Sequence, residues 1–497
     1  MADYQVVVLD VGKTNKKLFV YDSHLRCLNP GEKGVVFDQI EIEGVLCDDM
    51  AAIYGWMLRA LSDAAGRFPN VRSISISTHG ATIALLGRER DRQFKGDGGL
   101  VFPIVSYEQE IAPDEEEAFF RDVGLSPVEA QRRTGTARFG WLLNHGKQLH
   151  WLKRRFPERF ARVTDILMFP QYLGYLLTGE KAIEPTYPGC HGYLLSIDGE
   201  RYSVVAERLG IVGMLPPLPL KPTWEPVGTL KGDLARETGL SADCLVTMGV
   251  HDSNAALVPY FLKGLEDFVV QDSGTWIVTM APTREAAFAD EELGREVFFN
   301  RSVYGLPVKT TIFRGGAEFE FYRDRVMVGR PHPGEVDLGL LRGLLEGCEA
   351  FCLPTVQRGT GLFPRSVPRL EGVDVVFRDA ATAWCVIDLG LAVQGCQAIE
   401  MAAGQAPGAI YIEGNVGRSN PVYRAVISGF FPEAGVFFGS MGGAPYGSAI
   451  LGAAAVEGAR PEALADRCAM ALQEVPKPDL DPDLLRGYVQ AFLSRLR

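Results

Sequence analysis

One pattern occurs twice in this chain, about half its length apart, and no other feature constrains the fold as much. Near the start, the apolar run Val6-Val7-Val8-Leu9 meets Asp10-Val11-Gly12-Lys13-Thr14-Asn15, and a second run, Leu18-Phe19-Val20-Tyr21, follows. Past the middle, Phe268-Val269-Val270 meets Gln271-Asp272-Ser273-Gly274-Thr275, followed by Trp276-Ile277-Val278. Each copy reads as strand, acidic residue, Gly-Thr-type turn, strand. Such a hairpin aims backbone N–H groups and a hydroxyl at a phosphate and sets a carboxylate where a metal ion can meet it. One copy alone reads equally well as an ordinary turn. Core packing gives no reason to repeat the polar residues at matching strand ends, so the repeat points to phosphate held from two sides.

At 497 residues the chain exceeds what one hydrophobic core supports, which predicts two domains. A formal net charge of −12 argues against nucleic acid or an anionic membrane as the main partner. It leaves ATP open, because a local nest of donors binds phosphate on an acidic protein. The start lacks a basic signal-peptide region, no apolar run is read as long enough to cross a bilayer, and the nine Cys show no CxxC pairing. These features read as a cytoplasmic protein with reduced thiols.

Between the two hairpins the pattern alternates. Ile53, Met57 and Leu61 recur at helical spacing behind Asp48 or Asp49 as a cap, and Arg72–Ser77 alternates as a strand ending at Thr78-His79-Gly80. A strand at Cys244–Met248 ends at Gly249-Val250-His251-Asp252. The second half repeats this grammar. A helix is expected over Asp388–Ala402 and a strand over Ala409–Ile412. Pro421 opens a helix at its favoured first position, and a small-residue helix covers Ser448–Ala455. Strands first, then alternating helix and strand in both halves, describe a duplicated α/β protein with a boundary near 256–266.

Several residues could carry chemistry. Gly12-Lys13-Thr14 imitates the end of a nucleotide-binding P-loop, but Val7 stands where that motif needs Gly, and a strand follows instead of a helix. Asp252 falls at a strand end, facing the crevice where open α/β sheets bind ligands; it reads either as a general base or as a helix N-cap. His251 ranks below it. The small residues of Glu413–Asn420 would let a flat ring approach the backbone, and Thr78-His79-Gly80 with Val105-Ser106-Tyr107-Glu108 suggests a sugar-sized polar pocket.

Taken together, these segments resemble the FGGY carbohydrate kinases over nearly the whole length and in the same order. The Asp10 hairpin is similar to that family's first phosphate motif, with Lys17 on its final basic position. Gly249-Val250-His251-Asp252 is similar to the segment carrying its catalytic base, and Ser273-Gly274-Thr275 to its second phosphate motif. Gly417-Arg418-Ser419-Asn420-Pro421 resembles the adenosine segment. Three departures stand out. Lys13 replaces a usual Thr, Asn415-Val416 replaces two glycines, and Ser106-Tyr107-Glu108-Gln109 replaces the segment that often holds sugar hydroxyls.

The resemblance implies an α/β fold of two duplicated ribonuclease H-like (actin-like ATPase) domains with an interdomain cleft. Residues 1–258 would carry the sugar and the catalytic base, and residues 259–497 the adenosine. It implies ATP-dependent phosphorylation of a small sugar hydroxyl, most naturally that of a ketose of the L-fuculose, L-rhamnulose or xylulose type. Asp252 would be the base. Asp10, Gly12, Lys13, Thr14, Asn15, Lys17, Ser273, Gly274 and Thr275 would hold phosphates. Gly417 and Asn420 would hold adenosine, and His79, Gly80, Tyr107, Glu108 and Asp252 the sugar. Mg²⁺ would be approached by Asp10, with Lys13 adding a cation near the phosphates. A homodimer is common in the family. Two other readings remain: a chaperone- or actin-like ATPase, marked by full hydrolysis without sugar, and a silent sugar sensor, marked by binding without turnover.

Overall fold

A computed structural model describes residues 3–88, 93–326, 331–335, 337–357, 359–404, 406–440, 442–469 and 471–496. The chain forms two compact units. The sequence suggests one cut, at 258/259. The first unit instead comprises Met1–Leu265 together with Phe299–Pro307 and Met441–Ala469, and the second comprises Glu266–Phe298, Val308–Ser440 and Met470–Arg497. The helix Gly443–Glu457 explains the late return. Its small residues let it lie against the first sheet, where Ser73 Oγ donates to the Gly452 carbonyl at 3.0 Å and a Cβ on Gly452 would sit 2.5 Å from Val6.

In the first unit the sheet runs in the order Lys16–Asp22, Gln5–Val11, Val71–Thr78, Leu245–Thr247, Pro226–Thr229, and Val250–His251 also pairs with Val71–Thr78. Val6, Val7, Val8 and Leu9 are all buried, so Gln5–Val11 is covered on both faces, as a strand in a parallel arrangement must be. Gly249 divides the two short strands before Asp252. It has φ 74°, and a Cβ there would meet Pro170 at 2.9 Å, which leaves the position to glycine.

The second unit repeats the arrangement. Gln5–Val11 pairs antiparallel with Lys16–Asp22 and parallel with Val71–Thr78; Phe268–Ser273 pairs antiparallel with Ile277–Pro282 and parallel with Ala409–Glu413. The duplication seen in the sequence is therefore a duplication of sheet topology.

The helix Ala380–Ala403 backs the second sheet. Among the described residues it is the one helix long and apolar enough to cross a membrane, contrary to the expectation that no apolar run reaches that length. Its apolar window is wholly buried inside the unit, so the apolarity serves the core.

Candidate functional site

In the first unit, Asp10 lies one residue from the end of its strand, opposite Lys17 in the antiparallel register. Ser77 Oγ, at the end of the neighbouring parallel strand, donates to Asp10 Oδ1 at 2.9 Å. Burial pushes the Asp10 carboxyl up to about 6; the Ser77 bond and Lys17 pull down, while the charge of Asp252 pushes up. Gly12 to Asn15 form the connecting turn, with Thr14 and Asn15 exposed. Lys16, almost fully buried, closes the turn by donating to the Lys13 carbonyl at 2.8 Å.

Asp252 begins the short helix Asp252–Ala255, directly after Val250–His251, which pairs with Ser77 and Thr78. Its Oδ1 accepts from the Ser253 amide at 2.6 Å and the Ser253 hydroxyl at 3.2 Å. Burial raises this carboxyl to about 6 against the pull of the Ser253 bonds. His251 Nε2 lies 3.4 Å from the same oxygen. The His251 ring is held neutral, its pKa lowered to about 4 by burial. A chain of bonds fixes this turn: the His251 amide donates to Thr186 Oγ1 at 3.0 Å, and that hydroxyl donates to Glu184 Oε1 at 2.8 Å. Nothing in the local sequence around 184–186 announces this support.

His79 is buried and neutral, its pKa lowered to about 4 mainly by desolvation; it packs edge-on against Tyr107 with ring centroids 5.6 Å apart. Gly80 is required by proximity, since a Cβ there would sit 2.7 Å from His191 Nε2 and 2.8 Å from His251 Nε2. Tyr107 feels the carboxylates of Glu108, Asp252 and Asp48, in that order, so the predicted sugar-side residues share one electrostatic environment with the predicted base.

Lys13 takes a different course from the sequence expectation. Its ammonium turns away from the hairpin, donating to Asp48 Oδ1 at 2.6 Å and Ser106 Oγ at 2.9 Å, 3.9 Å from Glu108 and 4.9 Å from the centre of the Tyr107 ring. A buried carboxylate attracts it more strongly than an open turn does, and Asp49, not Asp48, caps the following helix by accepting from Ala52 N at 2.9 Å.

In the second unit a cavity of about 750 Å³ is lined by Gly274, Thr275, Phe319, Trp384, Val416 and Asn420, among others. Phe319 and Trp384 stack with centroids 5.8 Å apart at 25°. Asn420 caps the helix Pro421–Phe430, accepting from Tyr423 N at 2.8 Å, and its amide donates to Asp388 at 2.8 Å. Asp388 in turn lies 2.8 Å from His332 Nε2 on the cavity wall.

Two expected contact residues face inward instead. Ser273 is fully buried; its hydroxyl donates to the Glu413 carbonyl and accepts from Gly417 N, the latter at 2.9 Å. The pair joins the hairpin to the short helix Gly414–Ser419, where a loop was expected, and neither residue lines the cavity. Gly417 is small for a packing reason, since a Cβ would meet Ile412 Cγ2 at 2.7 Å. Phe319 and Trp384 escape a sequence reading because an aromatic on a helix is indistinguishable there from core filler, and His332 because it lies in an irregular stretch with no motif around it.

Residues 5–259 match the FGGY family of carbohydrate kinases, N-terminal domain, and residues 265–461 match the carbohydrate kinase FGGY, C-terminal domain. A rhamnulokinase of Bacteroides thetaiotaomicron is 27% identical over 241 residues, 48% of this chain and 46% of that protein. An L-fuculokinase of Salmonella typhi is 26% identical over 287 residues, 55% of this chain and 56% of that protein. The chain thus spans about half the length of the curated relatives it matches. The crystal structure of a carbohydrate kinase from Novosphingobium aromaticivorans superposes with a TM-score of 0.80 at 26% identity, covering 100% of this chain and 99% of that one. With both halves matched in order, this chain belongs to the FGGY family of carbohydrate kinases.

Proposed function

We propose that this protein transfers the γ-phosphoryl group of ATP to a hydroxyl of a small neutral sugar, a ketose of the fuculose, rhamnulose or xylulose type. The observation carrying the reading is Asp252, a carboxylate with a raised pKa at a strand end, electrostatically coupled to the phosphate-hairpin residue Asp10 and to the sugar-side residue Tyr107. Phosphoryl transfer asks a protein mainly for positioning, charge stabilisation and a base. Asp252, held by Ser253, accepts the proton of the attacking hydroxyl. The turn from Gly12 to Asn15 and Thr275 offer backbone and hydroxyl donors to phosphate, and Lys17 holds positive charge across from Asp10. The second-unit cavity receives the adenosine between Phe319 and the Val416–Asn420 wall.

The donor set also fits a magnesium ion. Asp10 is an oxygen donor whose carboxyl is pushed up by burial and by a second carboxylate, which a hard cation would relieve. When bound, Mg²⁺ would neutralise phosphate charge at Asp10.

A panel of L-rhamnulose, L-fuculose, L- and D-xylulose, L-ribulose, erythritol and glycerol, scored for sugar-dependent ADP release, tests the reading. At least one ketose is expected to raise ADP release far above the sugar-free rate. Full ATP hydrolysis without sugar would overturn it.

Two further outcomes follow. The base must be ionised, so kcat/KM is present above about pH 6 and lost as pH falls through it. Because Asp10 titrates in the same range and feels Asp252, the limb belongs to the pair. A rate that stays level from pH 8 to pH 5 contradicts the assignment. Phe319→Ala removes one aromatic face of the cavity and should weaken Mg·AMP-PNP binding roughly tenfold in calorimetry, leaving the sugar KM unchanged.

A further inference from the structure

Two departures of this chain from its family's pattern meet in space. Lys13 is displaced from the phosphate turn onto Asp48 (2.6 Å) and Ser106 (2.9 Å), and Ser106 belongs to the altered Ser106-Tyr107-Glu108-Gln109 segment. The same segment is tied down from another direction. Gln39 Nε2 donates to Ser106 Oγ at 2.7 Å and to Glu108 Oε2 at 2.8 Å, while Gln109 accepts from Leu46 N at 2.7 Å. Lys13 itself is largely shielded, with 16% of its side chain exposed, as is Asp48 with 10%. The second oxygen of Asp48 is buried with no partner among the described residues, so this carboxylate depends heavily on its bond to Lys13. Glu108 differs from both: its side chain is 43% exposed and its Oε2, held by Gln39, lies 3.9 Å from Lys13, so the carboxylate is oriented through one oxygen while still meeting solvent.

We propose that Lys13 is a specificity-determining residue on the sugar side of the site and not a phosphate ligand. This rests on the kinase reading above. Lys13 neutralises Asp48 and, through Ser106, fixes the turn that presents Tyr107 and Glu108. Lys13 and the nearby Lys16 are both engaged, one by Asp48 and the other by the Lys13 carbonyl. The acceptor facing substrate is then Glu108, and Tyr107 stands in the field of three carboxylates, Glu108, Asp252 and Asp48. Such surroundings accept hydrogen bonds from a neutral polyhydroxy compound and repel a sugar acid. The class selected is a neutral ketose or polyol; aldonates and uronates are refused.

The test separates nucleotide from sugar. Lys13→Ala removes the charge-assisted anchor of the turn that presents Tyr107 and Glu108, so it should raise the KM of the phosphorylated sugar about tenfold or more, with kcat much less affected. Mg·AMP-PNP affinity, measured by calorimetry, should stay within about twofold. Lys13→Arg should recover part of the sugar affinity. Lys13→Ala with Asp48→Asn removes the uncompensated buried carboxylate, so it should melt near the wild-type temperature while keeping the raised sugar KM. D-Gluconate and D-glucuronate should be turned over at least a hundredfold less efficiently than the best ketose.

A tenfold loss of AMP-PNP affinity in Lys13→Ala with an unchanged sugar KM overturns the proposal, as does efficient use of gluconate. The AMP-PNP titration needs no turnover. A wild-type enzyme that phosphorylates no sugar would therefore refute the kinase reading, while Lys13 would still be judged by its effect on the nucleotide.

Discussion

Asp252→Asn will lower kcat by roughly 10²–10⁴ while leaving Mg·AMP-PNP affinity and the fold intact. The amide has the shape of the carboxylate and can still accept the Ser253 N–H now bonded at 2.6 Å, so the turn after Val250–His251 keeps its geometry. What disappears is the basic oxygen. At each factor of ten per about 1.4 kcal/mol, the loss corresponds to about 3–5 kcal/mol of barrier. The raised pKa of Asp252 adds a second signature. Burial disfavours its charged form, so the folded protein holds this proton more tightly than the unfolded chain does. Ionised Asp252 therefore detracts from stability, fully above about pH 6; the penalty shrinks as pH falls through that value and is gone only below the ordinary carboxylate value of 3.8. The Asn variant should accordingly melt at or above the wild-type temperature at pH 8, with the difference narrowing below pH 6 and closing only toward the ordinary carboxylate value of 3.8. A variant that turns over normally, or one that unfolds, would remove Asp252 from the role of base.

Gly447→Ala will produce the largest loss of stability among single-methyl additions to the first unit. A Cβ at Gly447 would lie 1.8 Å from the Ala255 carbonyl oxygen and 2.6 Å from its carbon, and backbone on both sides leaves no flexible end to yield. Helix propensity favours alanine by about 1 kcal/mol, but forcing two helices apart costs about 3 kcal/mol or more. At about 2–4 °C per kcal/mol for a domain of this size, the midpoint should fall by several degrees. Ala255 ends the four-residue helix that Asp252 begins, so kcat should fall with it. Gly487→Ala is the matched control: it sits exposed in the helix Pro482–Ser494 with nothing within 4 Å of a new Cβ, and should be neutral or slightly stabilising. Equal melting of the two variants would show that the packing at Ala255 does not govern stability.

The elements that were legible in the sequence are those set by local pattern. The hairpin at Asp10, the helix begun by Asn420-Pro421 and the strand ending at Thr78 follow from alternation, capping and turn chemistry. Capping chemistry alone left Asp48 and Asp49 as alternatives. Asp49 takes the cap, which releases Asp48 to Lys13, and only the fold brings Lys13 within 2.6 Å of it. Ser273 and Gly417, both read as ligand contacts, satisfy each other at 2.9 Å because a buried hydroxyl at a strand end and a buried amide in the adjacent short helix pair before either reaches a cavity. Glu184 and Thr186 brace His251 from a distance of 65 residues or more, beyond the reach of any short motif.

By itself, the sequence determined a duplicated α/β chain, its two strand-turn-strand hairpins and the carboxylate at position 252, because periodicity and turn residues are local properties. The tertiary structure decided which side chains face a ligand and which face each other. It turned the Lys13 side chain from its own turn to Asp48 and Ser106, folded Ser273 and Gly417 inward, set Phe319 and Trp384 around a cavity, and returned the helix Gly443–Glu457 to the first unit. The reason is physical: burial makes every charge and every polar atom seek the nearest partner in space, and that partner is chosen by the fold and not by the neighbouring residues.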